Sequence, residues 1–454
     1  MGSLDDIFKA YDIRGVVPDQ LNAELAKKIG TAFAAFANSP SIVVGRDMRP
    51  SGVELVAAFT DGATAAGVDV VLLGLVSSDE LLYASGALDS PGVMFTASHN
   101  PARYNGIKLC LAGAKPVGVE SGLVEIREAI ETGDLPTVSE AERGTVSHRD
   151  VLADYAAKVR SFVDRDVLLP LRVIADTANG MGGLVVPAVF EGLPFDLEIL
   201  YPELDGNFPN HPADPIQPAN LVDLQALIVE KGADVGLAFD GDADRCFLVD
   251  DKAQPVSGST TTAIVAKAVL AKYPGSTILY NLICSKAVPE VIRENGGTPV
   301  MTRVGHSYIK ALMAETGAAF GGEHSGHYYF RDNYRADSGS IAALMVLEVI
   351  SKAGVPLSEL RRPFDRYAQS GEINTEVKGS PARVIESVSE HFAAEHPEAN
   401  QSRLDGVTVD FGDWWFNVRP SNTEPLVRLN VEAADRASCD VDTEMVLSVI
   451  RGVS

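Results

Sequence analysis

The sequence predicts an α/β fold of four domains, three similar mixed α/β domains followed by a distinct C-terminal α+β domain. Three observations support this. A plan of apolar run, helix, apolar run, helix and third apolar run occurs three times; each third run opens on a polar loop; and the pattern breaks into shorter, mixed elements from about Ser370. In the first copy the runs are Ser41 to Gly45, Val68 to Gly74 and Gly92 to Thr96. In the second they are Leu171 to Asp176, Leu197 to Tyr201 and Val235 to Phe239, and in the third Ser276 to Tyr280, Pro299 to Val304 and Ala318 to Phe320. Strands alternating with helices of this kind imply parallel sheets covered on both faces, with ligand loops at the carboxyl ends of strands. A short β-like segment after each loop (Gly106 to Leu109, Cys246 to Val249, His327 to Phe330) reads as an added edge strand. Amphipathic helices over Arg149 to Val163 and Ser340 to Lys352 lead between domains, giving spans of 1–148, 149–254, 255–368 and 369–454.

Composition limits the function classes. The chain has 454 residues, of which 46% are hydrophobic and 22% charged, the balance of a folded protein. A net charge of -24 argues against nucleic acid and anionic membrane surfaces as partners, because both are bound by clustered Lys and Arg. An anionic small molecule remains compatible if it meets its own basic residues. Cys110, Cys246, Cys284 and Cys439 form no CxxC pair, which points to buried thiols in a reducing compartment rather than to zinc or a disulfide framework. Met1 to Tyr11 lacks the apolar core of a secretory signal, Asp6 stands where a myristoylation site needs Ser or Thr, and no apolar run approaches the roughly 20 residues of a membrane span. A cytoplasmic protein is the expectation.

Four loops carry the chemistry. Phe95 to Pro101 places Ser98 in a turn directly after an apolar strand, presented as a nucleophile or phosphate carrier. Taken alone it also fits a strand-end turn. A Ser-His-Asp hydrolase is disfavoured, since His99 is the immediate neighbour and no nucleophile elbow surrounds Ser98. Asp240, Asp242 and Asp244 alternate in a loop that Gly241 lets turn tightly; three carboxylates so close call for a cation, and oxygen-only ligation favours Mg²⁺. Arg245 at the sixth position excludes an EF-hand, offsets the charge and could touch a phosphate. A solvated acidic turn is the other way to read that loop. Glu323 to His327 offers a carboxylate and a hydroxyl two residues apart, suited to vicinal sugar hydroxyls, and His306 and His327 are substrate contacts or proton relays. Arg419 to Thr423 joins a guanidinium, two hydroxyls, an amide and backbone N–H groups, which suits a phosphate dianion or a helix cap.

Together, Tyr11-Asp12-Ile13-Arg14-Gly15, Thr96-Ala97-Ser98-His99-Asn100-Pro101, Asp240 to Arg245, Gly322 to His327 and Arg419 to Pro425 resemble the α-D-phosphohexomutase superfamily, in its phosphomannomutase/phosphoglucomutase branch. The resemblance implies the four-domain phosphohexomutase architecture around a central cleft. It also implies that Ser98 is the phosphorylated serine and that Asp240, Asp242 and Asp244 bind one Mg²⁺ together with a phosphoserine oxygen. Glu323 and Ser325 would hold the sugar, and Arg419, Ser421, Asn422 and Thr423 the nonreacting phosphate. Tyr11, Arg14, Lys108, Arg245 and His306 match further active-site positions. One departure stands out: many relatives carry a lysine where this chain has Ile283, and the next lysine, Lys286, stands three residues on.

The expected reaction interconverts mannose 6-phosphate and mannose 1-phosphate through phospho-Ser98, with a hexose 1,6-bisphosphate as intermediate and activator and with glucose phosphates as further substrates. Lys108 and Arg245 would assist transfer, and His306, His327 or Lys108 would take the proton. The fourth domain would open and reclose while the bisphosphate turns around. Alternatives are a phosphoglucosamine mutase, a hexose-bisphosphate synthase or phosphatase, and a noncatalytic sugar-phosphate binder. The chain is expected as monomer or homodimer.

Overall fold

The structure is a computed structural model and describes residues 4–377, 380–421 and 426–453. The first sheet contains β1 (Ile13–Val16), β2 (Ser41–Arg46), β3 (Asp69–Leu75), β4 (Gly92–Phe95), β5 (Tyr104–Leu111), β6 (Lys115–Pro116) and β7 (Val146–His148). Its order is β1-β5-β4-β2-β3-β7, with β6 on β5; β4, β2, β3 and β7 are parallel, and β5 reverses. Helices α1 (Ala23–Ala37), α2 (Gly52–Ala65), α3 (Ser78–Ala87) and α4 (Leu123–Thr132) complete this domain. α3 begins with a capping box: Ser77 accepts from the Glu80 N–H while the Glu80 carboxylate accepts from the Ser77 N–H, which fixes where the chain leaves the sheet face.

Helix α5 (Leu152–Arg160) leads into a second sheet of β8 (Arg172–Asp176), β9 (Asp196–Leu200), β10 (Val235–Phe239), β11 (Cys246–Asp250) and β12 (Pro255–Val256), ordered β12-β11-β10-β8-β9 and flanked by α6 (Gly182–Phe190) and α7 (Val222–Lys231). Every residue of β10 is buried, as expected for a strand covered on both faces. After α8 (Gly258–Lys272), a third sheet of β13 (Thr277–Asn281), β14 (Thr298–Thr302), β15 (Phe320–Gly322) and β16 (Tyr328–Phe330) is ordered β14-β13-β15-β16, with α9 (Ala287–Glu294) and α10 (His306–Thr316) between its strands. One continuous hydrophobic core joins this domain to the second through α5, α6, α8 and α11 (Gly339–Ala353).

Past the short α12 (Leu357–Leu360), β17 (Ala368–Gln369), β18 (Ile373–Glu376), β19 (Asn400–Ser402), β20 (Val407–Asp410), β21 (Trp415–Pro420) and β22 (Leu426–Ala433) form an all-antiparallel sheet covered by α13 (Pro381–Glu395) and α14 (Arg436–Val453), with its own core. The three added antiparallel strands form as expected, but only β16 is an edge. β1 covers β5 and β12 covers β11, because the segments preceding and following them supply one more strand each. All four cysteines are buried free thiols, and among the described residues no helix is long and apolar enough to cross a membrane.

Candidate active site

The three chemical loops leave the carboxyl ends of β4, β10 and β15, where parallel sheets place their ligands. Ser98 has a left-handed backbone (φ +50°) and is nearly buried. Its Oγ donates to Asp240 Oδ2 at 2.7 Å, lies 3.3 Å from His99 Nδ1, and receives Arg245 Nη2 at 3.4 Å. The serine and acidic loops touch so closely that a Cβ on Gly241 would stand 2.4 Å from the Ser98 carbonyl oxygen; only glycine lets the backbones meet.

Two cations divide the acidic side chains between them. Asp240 Oδ2 also accepts from Arg245 Nε at 2.9 Å. Asp242 Oδ2 accepts from Ser78 Oγ at 2.6 Å and Lys108 Nζ at 2.8 Å, and the same ammonium reaches Asp244 Oδ2 at 2.9 Å. Burial pushes the Asp240 carboxyl well above the usual carboxylate range, with Arg245 acting against it. Burial also opposes the charge of Asp242, but Lys108 and the Ser78 hydroxyl outweigh it and hold that carboxyl far below its ordinary value. For Lys108 burial disfavours the ammonium, and the two aspartates reverse the balance and raise its pKa.

Asp242 Oδ1 and Asp244 Oδ1 are left buried with no hydrogen-bond partner, and ligand atoms of Asp240, Asp242 and Asp244 lie within 4.8 Å of one another. Orphaned carboxylate oxygens are costly unless a cation meets them, so this oxygen-only group fits a metal-binding site for a hard divalent ion.

The Glu323 to His327 loop adjoins this group. His327 Nε2 is 3.8 Å from Asp244 Oδ1 and 4.0 Å from Asp337 Oδ2, its Nδ1 is 3.6 Å from Glu323 Oε2, and Ser325 Oγ is 3.1 Å from Nδ1. Glu323 is buried and accepts from Tyr329 Oη at 2.9 Å and from the Gly305 N–H at 3.1 Å. His306 opens α10 with its ring 5.4 Å from that of Tyr11, whose hydroxyl donates to the Val304 carbonyl at 3.0 Å. Burial, helped by Lys310, lowers the His306 pKa to about 3, so that imidazole is neutral across the physiological range. Arg14 joins the serine loop through Asn100 Oδ1 at 2.5 Å.

Arg419 and Ser421 form a separate group in the fourth domain. Arg419 pairs with Glu372, which also meets Arg428 at 2.9 Å, and Arg428 Nη2 is 3.4 Å from Ser421 Oγ. Among the described residues, the buried Arg419 Nε and Arg428 Nε have no partner, which leaves donors for an anion. Asn422 and Thr423 lie outside the described residues. Ile283 is buried, and Lys286 donates to Asp410 Oδ1 at 2.7 Å and to the Gly412 carbonyl at 2.8 Å, engaged in tying the third domain to the fourth.

Sequence reasoning missed Arg49, Ser78, Lys310, Asp337, Glu372 and Arg428. Arg49 is the most completely used. Its side chain is fully buried, and it donates to Asp47 and to the carbonyls of Ser98, Asn100, Pro101 and Tyr104, so all five N–H groups are used, four of them on the serine loop and the start of β5. Arg46-Asp47-Met48-Arg49 follows the carboxyl end of β2, a position that could have marked it.

The whole chain shares this organisation with known proteins. It matches phosphoglucomutase/phosphomannomutase alpha/beta/alpha domain I over residues 5–136, domain II over 153–254, domain III over 257–367 and the C-terminal domain over 372–440. The chain belongs to the phosphoglucomutase/phosphomannomutase family. Within that family it is 39% identical over 448 residues to the phosphohexose mutases of Xanthomonas campestris pv. campestris, covering 98% of this chain and 99% of that one. It is 40% identical over 435 residues to the phosphomannomutase of Escherichia coli K12, covering 94% of each chain. A phosphoglucomutase/phosphomannomutase family protein of Burkholderia thailandensis superposes with a TM-score of 0.89 at 34% identity, over 99% of this chain and 98% of its own.

Proposed function

We propose that the protein is a phosphomannomutase that interconverts mannose 6-phosphate and mannose 1-phosphate and also accepts glucose phosphates. The observation that carries this reading is the Ser98 hydroxyl held 2.7 Å from Asp240 beside two orphaned carboxylate oxygens. In the forward half-reaction the P–O bond to Ser98 Oγ breaks as a P–O bond to the free sugar hydroxyl forms, and the hydroxyl proton passes to His306 or His327, since Asp242 and Asp244 hold Lys108 as an ammonium with no site for it. After the resulting hexose 1,6-bisphosphate turns around, its other phosphate returns to Ser98, which leaves the isomeric monophosphate.

Transfer of this type depends on positioning and charge stabilisation. Ser98, Asp240, Asp242 and Asp244 would hold a Mg²⁺, which when bound neutralises charge on the transferring group. Lys108 and Arg245 stand on the two sides of the acidic loop and bring positive charge to the same place. Glu323, Ser325 and His327 would orient the sugar, and Arg419 and Ser421, with Asn422 and Thr423, the nonreacting phosphate. Tyr11 and Arg14 would border the substrate. The protein acts as a cytoplasmic monomer or homodimer with domains at 1–148, 149–254, 255–368 and 369–454, and the fourth opens during turnaround.

The test compares mannose 1-phosphate with glucose 1-phosphate in coupled assays containing trace hexose bisphosphate and Mg²⁺. Wild type should turn over both and carry phosphate on Ser98 by intact mass; Ser98→Ala should do neither. Full activity in Ser98→Ala would refute the reading, and net release of free phosphate would identify a phosphatase instead.

A further inference from the structure

Away from the acidic loop, a cavity of about 450 Å³ lies between the first and third domains. One wall is β6 with the turn after it, including Lys115 and Glu120; the other is the face of α10 that carries Tyr308 and Ala311, closed by Tyr334 and Arg335. It includes none of Ser98, the three aspartates, Glu323 or Arg419, and it meets the smaller void behind Lys108 only at Ala114, Pro116 and Lys310. Its size is that of a site for a small organic molecule.

The charges in this cavity are unbalanced. Lys310 forms part of its floor, with a nearly buried ammonium whose carboxylate contact is Asp337 at 2.7 Å. Among the described residues, the Lys115 ammonium and the Arg335 guanidinium have no hydrogen-bond or ion-pair partner. The one carboxylate in the lining, Glu120, lies 4.0 Å from Arg303. Two unpaired cations and a buried third therefore converge from two domains in a chain whose net charge is -24. Cations gathered in a concave, low-dielectric site favour an anion, and the rings of Tyr308 and Tyr334 beside Ala311 and Ala314 give its body an apolar wall.

We propose that this cavity is a second, noncatalytic site for a small organic phosphate, bound by Lys115, Lys310 and Arg335. An occupant touches the first domain through Lys115 and the third through Arg335, so it fixes the separation of the elements that carry Ser98 and His327. The proposal is independent of which sugar the active site prefers.

The probes are phenyl phosphate and inorganic phosphate, titrated calorimetrically into wild type, Arg419→Ala and the double variant Lys115→Ala/Arg335→Ala. Phenyl phosphate should bind wild type at a site that Arg419→Ala retains. The double variant should weaken that site by about tenfold or more, the loss expected for charge-assisted hydrogen bonds. Inorganic phosphate should bind there more weakly than phenyl phosphate, because it leaves the aromatic wall unused. Both altered side chains reach the surface, and circular dichroism together with wild-type mutase activity in the absence of probe checks the fold. The exposed single variant Lys115→Gln should show part of the loss. Three results would each overturn the proposal: no binding to wild type, binding abolished by Arg419→Ala, or undiminished affinity in the folded double variant. Equal affinity for the two probes would overturn the organic part and assign the site to free phosphate.

Discussion

Replacing Arg49 tests how the serine loop is held. Its guanidinium donates to Asp47 Oδ2 at 3.1 Å, to the Pro101 and Tyr104 carbonyls at 2.9 and 3.0 Å, and to the Ser98 and Asn100 carbonyls at 2.8 and 2.6 Å. Arg49→Met removes one partner of a fully buried ion pair and exposes four carbonyls to no donor. Breaking such a pair from one side costs about 3–5 kcal/mol. That loss accelerates amide exchange across residues 97–105 by roughly two to four powers of ten, if the loop opens locally. Arg49→Lys keeps the charge but has three donors for five acceptors, and each unmet acceptor costs roughly 1–3 kcal/mol, so its exchange falls between the two. Adding Asp47→Asn to Arg49→Met should recover part of the loss by removing the unpaired charge. Hydrogen–deuterium exchange read by mass spectrometry gives these rates, and the rate at which Ser98 acquires phosphate from a hexose bisphosphate gives the functional consequence. An Arg49→Met protein with exchange within about threefold of wild type and an unchanged phosphorylation rate would refute the clamp.

Asp242→Asn should weaken Mn²⁺ binding by more than about tenfold in paramagnetic resonance titrations, since it replaces a carboxylate of the proposed ligand set; unaltered affinity would move the metal elsewhere. Ser78→Ala should reduce stability by about 1–3 kcal/mol, because Asp242 Oδ2 loses a buried 2.6 Å hydrogen bond. Asp79 is buried under hydroxyl donors from Ser77, Tyr155 and Ser338, and burial lifts its pKa to about 7. The native state then holds a proton that the unfolded state has released, so this group makes stability fall as pH rises from about 4 to about 7, by at most roughly 1.4 kcal/mol per unit, with no further change above. Denaturation of wild type against Asp79→Asn at pH 5 and pH 7.5 should show the variant gaining relative stability at the higher pH. Galactose 1-phosphate should be turned over at least about tenfold more slowly than glucose 1-phosphate, since its inverted 4-hydroxyl would leave a buried polar group unpaired; comparable rates would argue against the sugar grip at Glu323 and Ser325.

The strands were legible because their apolar runs are bounded by polar loops, and β4, β10 and β15, which carry the chemical loops, are buried throughout. Ser98, the aspartates and the Glu323 loop were legible because each chemistry is written within a few consecutive residues. What escaped the sequence joins distant segments. Ser78 is 164 residues from Asp242, and the Ser77 to Glu80 pattern announces only a capping box. Arg49 reaches carbonyls 49 to 55 residues away, and its place after the carboxyl end of β2 marks a ligand-side loop without revealing those partners. Lys310 and Asp337 look like ordinary helix and loop charges until α10 and the turn before α11 are packed together. The two added strands expected at sheet edges were misplaced for a related reason, because β1 and β12 pair from outside the repeated unit.

The contacts between domains also differ in burial. Lys108 from the first domain holds two aspartates of the second, and Asp244 of the second lies against His327 of the third, all in largely buried surroundings. Undoing any of these contacts leaves a charge in low dielectric, so the first three domains resist separation. The fourth is attached by a bond to a buried carboxylate, from the Lys286 N–H to Glu432 Oε1 at 2.9 Å, and by more open ion pairs: Lys286 to Asp410 with 26% and 40% of their side chains exposed, and Arg366, in the segment leading into it, to Glu290 and Glu294. Exposed pairs are screened by water and salt and contribute about 1 kcal/mol or less each. Opening the cleft at the fourth domain therefore breaks fewer buried charge contacts than opening it between the first three, and the turnaround proposed above would need only that opening, with the acidic loop and its cations left assembled.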